Sequence, residues 1–299
     1  MNAGEVTFDH EPPPAALAPR EPVGLLACGG RFPVAFAEKA RASGIPVVCV
    51  AAAGMADPEL RGLCAEFVWL RRMSLGAVIR AFRRGRVRRW AMAGKFEKRV
   101  LFRPWRWLLF LPDWRTVRFW FFRRRRANND DALLLGLIDE FRREGMECVS
   151  ALDLCPELLA RPGVLTRRRP TPDELRDIAL GWHLAKEMGR LDVGQSVMVR
   201  ERAVLAVEAI EGTDLAIRRA GELCPRGGFV VVKVAKPAQD RRFDVPTVGP
   251  QTVEAMRRAG ATALAIEAGR TIVLDEAATV ALADRHGIAI TSLAAPPAD

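Results

Sequence analysis

Over the first half of the chain, hydrophobic and polar positions fall in blocks instead of alternating residue by residue. The run 23–28 is short and uninterruptedly apolar, Gly29-Gly30 ends it, and Val34, Phe36, Ala37 and Ala40 then follow helical spacing. Further apolar runs at 45–50, 66–70, 89–93 and 146–149 predict four more buried strands. Between them, Ser74 stands as an N-cap ahead of an amphipathic helix over 75–84. Asp130-Asp131 open a second helix whose apolar positions are Leu133, Leu134, Leu137, Ile138 and Phe141, with Gly145 at its end. Continuously apolar strands separated by helices predict a parallel sheet covered on both faces, so the first half is expected to be Rossmann-like α/β.

The pattern changes after residue 155. The segment 156–171 is punctuated by proline and arginine and reads as a linker. A long helix is predicted from Pro172 to Met188, with Asp173 and Glu174 in its first turn, where the helix dipole favours them. Strands at 196–200 and 203–208 meet across Glu201-Arg202 as a hairpin, and a second hairpin is expected between 262–267 and 270–274 around Ala268-Gly269. With helices at 214–223 and 250–259, a β-branched strand over 228–235, a last helix and a closing strand at 288–291, this half predicts a mixed-sheet α/β domain. The expected organisation is a disordered tail 1–21, an N-terminal domain 22–155 carrying a basic aromatic insertion 95–126, the linker 156–171, and a C-terminal domain 172–299.

Composition narrows the function classes. The chain has 299 residues, 49% hydrophobic and 27% charged, which is globular composition. Its net charge of +10 is concentrated in one place. Residues 71–126 hold 19 Lys and Arg against two acids, a local +17 that leaves the rest of the chain at −7. Six scattered cysteines without a CxxC pair read as reduced thiols, and the acidic, proline-rich start lacks the apolar core of a signal peptide. No apolar run approaches the roughly 18 residues a spanning helix needs. Three histidines, His10, His183 and His286, weaken any histidine-rich metal chemistry, and both histidines outside the tail read as structural. A Walker A loop and a G-x-S-x-G elbow are both absent.

Several segments carry candidate chemistry. The Gly29-Gly30 turn lies between a strand and a helix, where backbone N–H groups either face a phosphate or simply close a tight turn. The segment 233–249 packs four cations, two carboxylates, Gln239 and Thr247 into 17 residues, and Pro237 and Pro246 stiffen its backbone. Such a loop suits a phosphorylated substrate with a divalent metal, or is an ordinary polar surface loop. Thr213-Asp214, at a helix start, caps the helix or hosts a phosphate–Mg²⁺ group. The block 95–126 interleaves Trp105, Trp107, Trp114 and Trp120 with phenylalanines and arginines, and Arg123–Arg126 close it. It fits a membrane surface or acyl chains, single-stranded nucleic acid, or self-packing.

Taken together, the segments Gly24–Pro33, Asp130–Leu133, Gly189–Gln195, Ala206–Asp214 and Lys233–Gly249, in this order across both halves, resemble UDP-2,3-diacylglucosamine pyrophosphatase of lipid A biosynthesis, the LpxI type. The resemblance implies hydrolysis of the pyrophosphate bond to UMP and 2,3-diacylglucosamine 1-phosphate, a requirement for Mg²⁺, a homodimer, and a substrate site between a Rossmann-like N-terminal domain and a catalytic α/β C-terminal domain. The family's catalytic aspartate falls at Asp244 of Asp244-Val-Pro-Thr-Val-Gly249, as Mg²⁺ ligand or activator of water. Chemistry at the matching positions makes Lys233, Lys236, Thr213 and Thr247 candidates for the diphosphate, Gln195 a polar substrate contact, Gly29 and Gly30 a phosphate turn, and Asp214 a second metal ligand. Two departures stand out. Cys28 occupies a position usually glycine in the family, and the block 95–126 is longer, more basic and more aromatic. That block is expected to dock on the inner face of the inner membrane, making the protein cytoplasmic and membrane-peripheral, without a nucleic-acid partner. The alternative is a non-catalytic sugar-nucleotide or lipid-binding protein of the same fold.

Overall fold

A computed structural model of the chain describes residues 21–71, 74–95, 114–116, 130–237 and 239–297. The N-terminal tail and most of the block 95–126 lie outside these residues.

The N-terminal domain is built on β1 (Val23–Ala27), β2 (Val47–Ala52), β3 (Glu66–Leu70), β4 (Arg89–Ala93) and β5 (Glu147–Cys148), all parallel, in the order β3-β2-β1-β4-β5. That order reverses beside β1, which places the topological switch point at the carboxyl ends of β1 and β4. Helix α1 (Phe32–Ala42) covers one face through Val34, Phe36, Ala37 and Ala40, while the short α2 (Leu60–Leu63) seats Leu60 in the same core. Helices α3 (Leu75–Arg84) and α4 (Asp130–Arg143) cover the other face, where Phe82, Trp90 and Phe141 form one aromatic cluster. Ser74 caps α3 by accepting the Ala77 N–H at 3.1 Å, as its position predicts. Gly24 is required on this face: a side-chain carbon there would lie 2.9 Å from the Phe82 ring.

The C-terminal domain has a six-stranded sheet in the order β6-β13-β11-β9-β7-β8. Its strands are β6 (Gly163–Val164), β7 (Ser196–Arg200), β8 (Ala203–Val207), β9 (Phe229–Lys233), β11 (Ala261–Glu267) and β13 (Ala289–Leu293). Strands β9, β11 and β13 run parallel, and the other three are antiparallel to their neighbours, so the sheet is mixed as expected. Helix α5 (Pro172–Arg190) covers one face through Ile178, Trp182 and Ala185. Helices α6 (Thr213–Leu223), α7 (Pro250–Ala259) and α8 (Glu276–Arg285) line the other side of the domain. Within the segment expected to act as a linker, Gly163–Val164 pairs with β13 and so belongs to this sheet.

The hairpin at Glu201-Arg202 forms, with both residues left-handed (φ 50 and 61) and their N–H groups donated to the Asp177 carboxylate at 2.8 and 2.6 Å. The second expected hairpin does not form. Both edges of β11 are already occupied, by β9 and β13, so the following apolar pair cannot fold back onto it. Instead β12 (Ile272–Val273) pairs in parallel with β10 (Thr247–Val248) as a separate two-stranded sheet. Ile272 packs into the N-terminal core and Val273 into the C-terminal core, so this small sheet sits at the junction of the domains. It fixes the segment that precedes β10, which holds Asp244.

Candidate active site

Lys233 ends the central strand β9 and is buried. Its ammonium donates to the Thr213 hydroxyl at 3.0 Å and to the Thr247 carbonyl at 2.9 Å. Thr213, at the first position of α6, donates in turn to Glu208 Oε1 at 3.0 Å and lies 3.3 Å from the Ser196 hydroxyl. The other Glu208 oxygen is buried without a partner among the described residues. Burial pushes the Lys233 ammonium below the ordinary lysine value; Glu208 opposes that shift, Lys95 adds to it, and Asp214 and Asp244 oppose it. The buried ammonium beside the first turn of α6 is the part of this centre that suits an anion, while the unpartnered Glu208 oxygen offers an acceptor to a hydrogen-bond donor.

Lys236 stands three residues further on, nearly buried, between two carboxylates: Asp192 Oδ1 at 2.5 Å and Asp244 Oδ2 at 3.3 Å. The Asp244 backbone is left-handed (φ 54), a conformation aspartate tolerates better than most residues. This turn lets the preceding Phe243 enter the N-terminal core while Asp244 faces Lys236, with its side chain 44% exposed. The loop is also tied across the junction by the Ser150 hydroxyl, which donates to the Arg241 carbonyl at 2.7 Å. Within the loop Gln239 donates to the Phe243 carbonyl at 3.1 Å, and Arg242 grips Asp240.

The remaining sequence candidates take more varied places. Thr247 contributes its carbonyl to Lys233, because its hydroxyl donates to the Val245 carbonyl at 3.0 Å. The Gln195 carbonyl accepts the Val234 N–H at 3.1 Å, and its side-chain Oε1 is buried without a partner among the described residues. Asp214 is in the first turn of α6, within electrostatic reach of Lys233. The Gly29 N–H is donated to the Lys95 carbonyl at 3.1 Å and is therefore not directed at a phosphate, a correction to the simple turn reading. Gly30 (φ 93) is open on its missing side-chain face. Cys28, the departure beside this turn, has a thiol pushed up to about 11 by burial and is not a nucleophile.

Sequence reasoning missed Glu208, Asp192 and Ser196, although each lies within or beside a segment that carries the resemblance. It also missed Lys95, which only the Gly94-Lys95 break after β4 signals. Gly194 explains the tight fit around Glu208, since a side-chain carbon there would lie 2.1 Å from the Glu208 carbonyl oxygen.

For a metal, no three His, Cys, Asp or Glu side chains converge among the described residues. Mg²⁺ characteristically takes one or two carboxylates and completes its shell with water and substrate phosphate oxygens. Asp244 and Asp214, both acting electrostatically on Lys233, fit that smaller donor set.

The fold and this site define a two-domain α/β protein with a buried polar centre at the end of its C-terminal sheet, tied to the N-terminal domain by the Asp244 loop. The LpxI N-terminal domain matches residues 22–158 and the LpxI C-terminal domain residues 161–291. The chain is 34% identical over 276 residues to "UDP-2,3-diacylglucosamine pyrophosphatase LpxI" of Caulobacter vibrioides, an alignment covering 89% of this chain and 95% of that protein. The chain belongs to the LpxI family, as the resemblance read from its sequence implies.

Proposed function

We propose that this protein hydrolyses the pyrophosphate bond of UDP-2,3-diacylglucosamine, releasing UMP and 2,3-diacylglucosamine 1-phosphate for lipid A synthesis. The observation that carries this reading is the Lys233–Thr213–Glu208 centre beside Lys236 and Asp244, in a chain similar to the Caulobacter pyrophosphatase along both domains. Lys233 and Thr213 bind phosphate oxygens; Lys236, against Asp244 Oδ2, orients that carboxylate. Asp244 accepts the proton of the attacking water as its oxygen bonds to phosphorus; the bridging P–O bond breaks and its electron pair leaves with the departing phosphate. Asp244 and Asp214 would hold Mg²⁺, which when bound supplies charge neutralisation at the diphosphate. Direct attack by water is favoured over a covalent intermediate because the nearby serine and threonine hydroxyls lack an adjacent histidine base.

A non-catalytic binding protein of the same fold is the weaker reading, because Asp244, Lys233 and Lys236 are all present and assembled. The protein is further proposed to be a cytoplasmic homodimer that docks on the inner face of the inner membrane through 95–126. Among the described residues no helix is long and apolar enough to cross a membrane, and Trp114, in the middle of that block, is 78% exposed.

The test is product analysis from UDP-2,3-diacylglucosamine with Mg²⁺ and with EDTA. UMP and the diacylglucosamine phosphate in equal amounts, lost on chelation, are expected. A folded protein that releases neither product refutes the activity, and undiminished release in EDTA refutes the metal.

A further inference from the structure

Lys95 belongs to the N-terminal domain, just beyond the carboxyl end of β4. Its backbone is locked to Gly29 by reciprocal hydrogen bonds, Lys95 N–H to the Gly29 carbonyl at 2.7 Å and Gly29 N–H to the Lys95 carbonyl at 3.1 Å. The preceding Gly94 (φ 97) makes this pairing possible, since a side-chain carbon there would lie 2.6 Å from the Gly29 carbonyl oxygen. From this anchor the side chain crosses to the other domain. Its ammonium stands where a side chain on Gly212 would be, 3.0 Å from that position, and Gly212 (φ 85) is the residue that opens α6.

The placement is electrostatically costly without an anion. The ammonium stands at the positive end of the α6 dipole, close enough to Lys233 for the two like charges to act on each other. Glu211, the acidic residue just before Gly212, is turned to Arg219 at 2.6 Å. No ion pair of Lys95 exists among the described residues, whereas Glu208 Oε2 close by is buried and unpartnered. Two ammonium groups from separate domains converge beside one helix N-terminus, an arrangement that a multiply charged anion between them would strengthen.

We infer that Lys95 is a substrate-contact residue, a third cation of the diphosphate site, so that the diphosphate is gripped from both domains at once. This rests on the pyrophosphatase reading above. It also reassigns Gly29, whose part is to hold the Lys95 backbone in register.

The test compares wild type, Lys95→Met and Lys95→Arg, with UDP as a soluble diphosphate probe and UDP-2,3-diacylglucosamine as substrate. Lys95→Met is expected to weaken UDP binding and lower kcat/KM by about tenfold or more, with an unchanged melting temperature and a shallower dependence of UDP affinity on salt. Lys95→Arg, which keeps the charge, is expected to retain most of the affinity and the salt slope. Wild-type hydrolysis with Lys95→Met inside twofold of it, or Lys95→Arg as weak as Lys95→Met, overturns the inference and leaves the activity standing. A wild type that neither binds UDP nor hydrolyses the substrate overturns both.

Discussion

In the proposed mechanism Asp244 and Lys233 act from opposite surroundings. Lys233 is buried at the end of β9, its hydrogen bonds directed to Thr213 and Thr247, while Asp244 is half exposed in a left-handed turn with one oxygen against Lys236. In that proposal the buried group, fixed by its hydrogen bonds, meets the phosphate, and the exposed group meets water. The Glu208 oxygen without a partner, close to Thr213, adds an acceptor that costs stability in the unliganded protein and gains a partner when ligand or water enters. Lys233 and Lys236 stood out in the sequence because they fall in one dense polar segment, and Asp244 of that segment was singled out by the resemblance. Glu208 and Lys95 were not, because they gain meaning only when β8, α6 and β4 are brought together in space.

Among the elements, α5 has the strongest start. Thr171 accepts the Glu174 N–H at 3.2 Å while Glu174 accepts the Thr171 N–H at 2.8 Å, a full capping box, and Arg168 Nη2 is shared between both oxygens of the same carboxylate at 2.7 and 2.9 Å. Burial alone would raise the Glu174 carboxyl, but Arg168, Thr262 and the Thr171 N–H together hold it below its ordinary value. A carboxyl with a depressed folded pKa contributes stability above the ordinary carboxyl range and loses it as pH falls through the folded value. Glu174→Ala is therefore expected to cost about 2 kcal/mol at neutral pH. Chemical denaturation checks this, and the difference from wild type should shrink toward pH 3; an equal difference at pH 7 and pH 3 would refute the electrostatic part. Helix positions and the first hairpin were readable from caps, periodicity and turn residues. The second hairpin was misread because local apolar pattern does not say which edges of a neighbouring strand are already taken.

At the scale of the molecule, the polar centre and the domain junction come together at the Asp244 loop. Phe243 packs in the N-terminal core, Ser150 holds Arg241, and Lys95 reaches Gly212, so the site requires both domains. The two-domain plan was legible from the change in strand pattern near residue 155, whereas the interlock came from long-range packing. The block 95–126 lies mostly outside the described residues; its Thr116 hydroxyl accepts the Leu75 N–H at 2.9 Å, which ties the middle of the block to the start of α3. Deleting residues 98–124 is expected to abolish binding to anionic liposomes while preserving the fold, and retained binding would remove the block from the docking account. Light scattering at the monomer mass would likewise end the proposal of a homodimer.

The central claim is that Asp244 is the essential carboxylate of a pyrophosphate-cleaving site. It is tested most directly by the initial rate of UMP release from UDP-2,3-diacylglucosamine by wild type and Asp244→Asn at equal concentration and matched melting temperature. The account predicts a loss of about a thousandfold or more in kcat for the variant, because the amide can neither take the water's proton nor bind Mg²⁺ with a full charge. A variant that turns over within tenfold of wild type would contradict it.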